Sequence, residues 1–317
     1  TVSITGLTIA VQAVVALAGF GWTGDPQWRL AGASASVRHV LALAADRPLL
    51  AAEREPVEPV DPPARGIRFE SVTFGYPGRS ERPAAELDLW IPAGRSLALV
   101  GENGAGKTTL VKLLAGLYQP NAGRITVDGR PLTELDPAGW RRQLSVVFQD
   151  FVRYELTARE NVAFGRPDVP IDAGRLASAL AKAGAADVLA GLPDGWDTML
   201  SRQFGAADLS GGQWQRLALA RALYAVEHGA RVLVLDEPTA QLDARAESAL
   251  YARFLELTRG ITTILISHRF NTVRLADRIA VIEAGRVAEL GSHDELMALG
   301  GQYARMFRSQ AERLGVA

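Results

Sequence analysis

An aliphatic run, SLALV at Ser96–Val100, leads into a glycine-rich loop, GENGAGKT at Gly101–Thr108, and then into Leu110, Leu113, Leu114 and Leu117 at helical spacing. Few backbones accommodate that order. A strand must stop abruptly, glycines must take up a tight turn, and a helix must begin with its N-terminus facing that turn. Bare amides beside the positive end of a helix form an anion site. The spacing G-x-x-x-x-G-K-[ST] adds a lysine that reaches phosphate oxygens, here Lys107, and a hydroxyl that can bind Mg2+, here Thr108. A plain glycine turn would need neither residue.

The rest of the chain after Ile67 alternates short β-rich runs with helical patterns, which predicts an α/β fold around a largely parallel sheet. Ligands of such sheets sit beyond the carboxyl ends of the strands. Four apolar runs end in polar residues suited to that place: Ser96–Val100 at Gly101, Ser145–Phe148 at Gln149, Val232–Leu235 at Asp236-Glu237, and Thr263–Ser267 at His268. Asp236 is the candidate second ligand of the Mg2+, held directly or through water. Glu237 is the candidate for polarising an attacking water, since phosphoryl transfer needs positioning and proton acceptance more than covalent help. Gln149 is a candidate metal or water ligand, and His268 a candidate contact to a terminal phosphate. Taken singly, each of these reads as a charged turn or a polar strand end. Their convergence on four strand ends is what packing does not explain.

A second glycine-bearing helix start follows at LSGGQ, Leu209–Gln213. Ser210 and Gln213 have the S-x-x-Q spacing of a capping box, so a helix is expected through Leu217, Ala220, Arg221 and Leu223. Its start is again an anion site. Because the phosphates already have a place at Gly101–Thr109, two such helix ends suggest two chains set head to tail, each closing the other's nucleotide.

Ahead of Ile67 the chain changes character. Val2–Trp22 is apolar, lacks a basic start, and is just long enough for a bilayer span; a buried core helix fits it as well. Gly24-Asp25-Pro26 breaks that stretch, and Gln27–Ala45 carries a second helical pattern. EREPVEPVDPPARG, Glu53–Gly66, has four prolines and no apolar periodicity and reads as an extended linker. With 34 Lys and Arg against 35 Asp and Glu, the chain lacks the basic field of a nucleic-acid binder. The absence of cysteine excludes disulfides and thiolate metal sites.

These residues, in this order, resemble the nucleotide-binding domain of ATP-binding cassette (ABC) transporters from Ile67 to the C-terminus. The resemblance implies a P-loop NTPase (RecA-like) core, an antiparallel β-subdomain and an inserted α-helical subdomain over about residues 151–225. It implies ATP contacts from Tyr76, as the ring stacked on adenine, and from Gly101, Asn103, Gly104, Ala105, Gly106, Lys107, Thr108, Thr109, Gln149 and Asp236. Mg2+ falls to Thr108, Gln149 and Asp236, and catalysis to Glu237 and His268 with Lys107 and Gln149. Ser210, Gly211, Gly212, Gln213 and Asp243 would face the partner's ATP. The proline-rich stretch before FESVTFGYP is similar to exporter-type half-transporters. By that likeness residues 1–50 are the last membrane helix and its cytoplasmic extension, residues 51–66 the linker and 67–317 the cassette, in a chain truncated upstream. The expected partners are a second cassette, identical or sister, the chain's own membrane domain and the lipid bilayer. No nucleic acid is expected, and the cassette would lie on the cytoplasmic side of a cell membrane.

Three departures from the family pattern stand out. Ala240 and Gln241 replace the usual Ser and Ala of the D-loop, RQFGAADLSGGQ lacks a Gly-Glu pair before the signature, and Gly24-Asp25-Pro26 interrupts a helix that is usually continuous. The alternative function is a non-transport ABC ATPase acting on nucleic acid or ribosomes; a module that holds ATP without turnover is a third, against which Glu237 and His268 argue.

Overall fold

The structure, a computed structural model, describes residues 59–76, 86–201, 209–237 and 253–313. These residues form a six-stranded sheet of order β10-β9-β3-β8-β7-β6 and a four-stranded sheet of order β2-β1-β4-β5. In the larger sheet β3 (Ser96–Val100), β6 (Leu144–Val147), β7 (Val232–Asp236), β8 (Thr262–Ile266) and β9 (Arg278–Glu283) run parallel, and β10 (Arg286–Gly291) closes the edge antiparallel. Every residue of β7 and β8 is buried, as continuous aliphatic runs in a sheet covered on both faces should be. Since β3 lies between β8 and β9, strands that come much later in the chain flank the loop that follows it. That places the crevice at the carboxyl ends of β3, β6, β7 and β8, the four ends singled out from sequence.

The smaller sheet is antiparallel throughout, and its first two strands alternate as one-sided strands do. In β1 (Gly66–Thr73), Ile67 and Phe69 point inward; in β2 (Leu87–Pro92), Leu87, Leu89 and Ile91 are buried while Asp88 and Trp90 face outward. β4 (Ala122–Val127) meets β5 (Arg130–Pro131) across an Asp128-Gly129 turn with φ of 54° and 91°, the paired positive values that a two-residue hairpin demands. Ile67, Phe69 and Ile91 share one core with Leu97 and Leu99 of β3 and with Leu110, Val111 and Leu114 of α1 (Lys107–Leu114). Trp140, on α2 (Pro137–Gln143), completes that core, and its Nε1 donates to the Leu114 carbonyl at 2.7 Å, satisfying an end of α1.

Leu117 does not belong to the α1 stripe. The helix stops at Leu114, Gly116 turns left-handed at φ 65°, and the amide of Leu117 returns to the Lys112 carbonyl. This is a Schellman-type ending, which leaves Leu117 54% exposed. The strand limits likewise differ by a residue from the sequence expectation: β6 begins at Leu144 and β8 at Thr262, with Ser267 beyond its end.

A helical group fills the chain between β6 and β7. It comprises α3 (Ala158–Ala163), α4 (Ala173–Lys182), α5 (Ala186–Ala190) and α6 (Gly211–Glu227), around Val162, Leu176, Leu180, Val188, Trp214, Leu217 and Leu223. α6 is buried on most of its circumference and carries a half-buried cation. Arg221 donates to the Asn161 carbonyl at 2.9 Å, the Asn161 Oδ1 at 3.0 Å and the Val152 carbonyl at 3.2 Å, and lies 4.6 Å above the Tyr154 ring. It thereby ties the helix that starts at LSGGQ to the segment following Gln149. The chain ends in α7 (Phe270–Val273), α8 (His293–Leu299) and α9 (Gln302–Arg313), which cover the outer face of β3 and β9.

The proline-rich stretch is docked onto the cassette at its C-terminal end. Val60 packs on the core and accepts a hydrogen bond from Gln143 Nε2 at 2.6 Å. The Asp128 carboxylate accepts the backbone N–H groups of Ala64, Arg65 and Gly66 at 2.7, 2.7 and 2.8 Å. Among the described residues no helix is long and apolar enough to cross a membrane. The expected span at Val2–Trp22, and all of residues 1–50, lie outside them.

Candidate functional site

The strand β3 delivers the chain to Gly101, whose φ of 149° and whose surroundings both require glycine: a Cβ there would lie 2.2 Å from the Ile282 carbonyl oxygen. Gly106 then caps α1 in a left-handed conformation, φ 104°, with no side chain taking the first-turn amides. Lys107 bends back across the loop, and its Nζ donates to the carbonyls of Gly101 at 2.7 Å and Glu102 at 2.9 Å. Burial pulls this ammonium below the usual lysine range, against Glu237 and Asp236, which act to raise it. A desolvated cation over a ring of amides is a strong demand for an anion.

On the opposite wall, Thr108 Oγ1 donates to Asp236 Oδ2 at 2.8 Å. Asp236 ends β7 only 3% exposed, and burial pushes its carboxyl above the usual range; the Thr108 hydroxyl opposes this and Glu237 adds to it. A hydroxyl and a desolvated carboxylate in contact are an oxygen pair that a small divalent cation fits. Glu237 leaves the strand at φ 44°, a left-handed value rare outside glycine, while its amide still bonds the Ile266 carbonyl of β8 at 3.0 Å. The turn swings its carboxylate out of the sheet and toward His268, whose Nδ1 lies 3.3 Å from Glu237 Oε1.

These groups face a cavity of about 650 Å³. Tyr76, Asn103, Gly104, Ala105, Gly106, Lys107, Thr108, Thr109, Gln149, Asp236 and Glu237 all line it. Gly101 lies behind the loop as an acceptor of Lys107, and His268 meets the cavity through Glu237. Ser210, Gly211, Gly212 and Gln213 do not line it; they open α6, where Ser210 Oγ accepts the Gln213 amide at 3.3 Å and Gln213 Oε1 accepts the Ser210 amide at 2.8 Å. The capping box is complete. Asp243, Ala240 and Gln241 fall outside the described residues.

Tyr76 shows what spacing alone did not: its hydroxyl is 3.2 Å from Thr109 Oγ1, and its ring packs edge-on against Phe74 and Tyr118. Lys112 Nζ sits 5.5 Å from the ring centroid. Lys112 has no local signal in the sequence, because five residues after Lys107 it stands on a different face of the helix. Ala284 and Gly285, which the sequence does not single out, line the cavity from the turn between β9 and β10.

A central parallel sheet, a glycine loop feeding a helix, and a lysine, hydroxyl and carboxylate converging on one crevice define a P-loop nucleotide-binding fold. Residues 84–240 match the family model described as ABC transporter. The chain belongs to the ABC transporter family, and its cassette is the ATP-binding domain of that family. It is 43% identical over 252 residues to an ATP-dependent lipid A-core flippase of Burkholderia orbicola, an alignment covering 79% of this chain and 41% of that one. It is 39% identical over 255 residues to the cyclolysin secretion/processing ATP-binding protein CyaB of Bordetella pertussis, covering 80% and 35%. A solved structure of a bacterial Atm1-family ABC exporter with ATP bound matches with a TM-score of 0.76 and 32% identity, over 89% of this chain and 48% of the other. The chain thus spans less than half the length of these relatives.

Proposed function

We propose that this chain is the motor part of an ABC exporter: two cassettes pair head to tail around ATP, and hydrolysis drives transport by membrane domains. The observation that carries the reading is the presence of two glycine-bearing helix starts in one cassette, one lining the cavity and one capped and turned elsewhere. In this reading the amides of Gly104–Thr109 and the Lys107 ammonium hold the phosphates, and Tyr76 stacks on adenine. Thr108, Asp236 and Gln149 would hold Mg2+, which would supply charge neutralisation at the phosphates when bound. Glu237 orients water and accepts its proton, and His268, through its contact with Glu237, stands toward the terminal phosphate. Ser210–Gln213 and Asp243 close the ATP of the partner.

The relatives named above carry out lipid A-core flipping and cyclolysin secretion. Both are transport, which favours export over the nucleic-acid or ribosomal alternative. In this reading the cassette lies at a membrane, on the cytoplasmic side, with residues 1–50 as the end of the membrane domain. One motor serves cargoes that different, so cargo choice belongs to the membrane helices.

Glu237→Gln tests the assignment. Turnover is expected to fall by about 100-fold or more, the scale of a lost general base. ATP-dependent pairing of cassettes, followed by light scattering, should persist. Hydrolysis at the wild-type rate would overturn the role of Glu237, and loss of pairing would overturn the head-to-tail reading.

A further inference from the structure

The cavity residues explain Glu237 and His268 but not what holds the loop that carries His268. From one side Ser267 Oγ accepts the Arg269 amide at 3.0 Å. From the other, Gln310 on α9 uses both ends of its side-chain amide: Nε2 donates to the His268 carbonyl at 2.9 Å, and Oε1 accepts the Phe270 amide at 2.8 Å. A single hydrogen bond would let the loop swivel, whereas two from one rigid planar group to successive peptides, on either side of Arg269, hold it.

The helix that presents Gln310 is firmly seated. The Glu289 carboxylate of β10 accepts the amides of Gln302 and Tyr303 at the start of α9. The Tyr303 hydroxyl bonds His293 Nδ1 at 2.8 Å, and the rings of Tyr303 and Phe307 pack 5.4 and 5.9 Å from that of Phe270. Tyr303, Phe307 and Gln310 lie at i, i+4 and i+7, one face of the helix. Packing alone would complete that face with an apolar residue. An amide stands there instead, aimed at two backbone groups of the loop.

We infer that Gln310 is a positioning residue for His268, with α9 as a strut running from β10 to the loop beyond β8. This rests on the reading of His268 as part of the hydrolytic set. In the full chain, Gln310→Met keeps the length and packing but removes both hydrogen bonds; Gln310→Glu keeps the acceptor for Phe270 and loses the donor to His268. Both should lower kcat for ATP by about 10-fold, as for a modest misplacement of a reacting group, with KM and melting temperature held. The His268 imidazole signal, one of four histidines to assign by NMR, should shift or broaden in both variants. Added to His268→Ala, Gln310→Met should cost nothing further, since the two act as a unit. An unchanged kcat and His268 signal would overturn the inference, and so would a loss that persists in the His268→Ala background or tracks a fall in melting temperature. Full turnover in His268→Ala would instead overturn the hydrolytic reading, while the NMR signal would still report whether Gln310 holds the loop.

Discussion

The two glycine-bearing helix starts of this cassette are built in opposite ways. α1 begins at a left-handed glycine with no side chain on its first-turn amides, and a half-buried lysine is folded over the opening. α6 begins at a serine and a glutamine that bond each other's backbone, so part of its N-terminus is already satisfied. The first is an unfinished site, unfavourable until an anion fills it. The second is a finished surface, rigid before anything binds, with the amides of Gly211 and Gly212 left over by the helix geometry. The difference teaches why, in the proposed reading, the first end takes the nucleotide and the second is left to meet the partner cassette.

Substitutions can break this contrast. The largest effect is expected for Gly101→Ala, where backbone strain and the 2.2 Å approach to the Ile282 carbonyl act together. A destabilisation of about 3 kcal/mol by denaturant unfolding and loss of ATP binding are expected. Gly212→Ala is the matching change on α6. It lies within a helix, so stability should hold or rise by up to about 1 kcal/mol, while turnover of the pair falls. Next, Lys107→Ala should weaken ATP binding by about 100-fold in calorimetry, the scale of a lost charge-assisted bond, with little change in stability. Ser210→Ala should cost about 1 kcal/mol as a lost cap, leaving the ATP affinity of a single cassette untouched.

The smallest effect concerns Asp236. Its folded carboxyl is held above the ordinary value of 3.8, chiefly by burial, so the folded state binds this proton more tightly than the unfolded chain. Stability from this group is therefore present at acid pH and lost as pH rises through the folded value. Asp236→Asn should raise the melting temperature of the nucleotide-free protein at neutral pH by about 2 °C, a gain that vanishes below 3.8. The same variant should lose Mg2+-dependent stabilisation by ATP.

The sequence made the crevice legible because its elements are local. A glycine loop sits between its strand and helix, a capping box spans four residues, and apolar runs show where strands end. It also exposed the family, because those local signals come in a fixed order. What it hid was long-range or conformational. Nothing near Glu237 signals a left-handed backbone, and Leu117 reads as the next leucine of a stripe until Gly116 turns the chain. The capping box places Arg221 on a helix, but its acceptors come from residues far earlier in the chain, which no local pattern signals. Gln310 and His268 are brought together by a fold, not by spacing.

Asp128 gives the cassette a mechanical property. Its carboxylate grips three successive amides just where the proline-rich stretch joins β1, and its own amide bonds the Gly66 carbonyl. A tensile pull arriving from ahead of Val60 would therefore be shared between the Gln143 end of α2, the turn beyond β4 and β1, and spread from there across the antiparallel sheet.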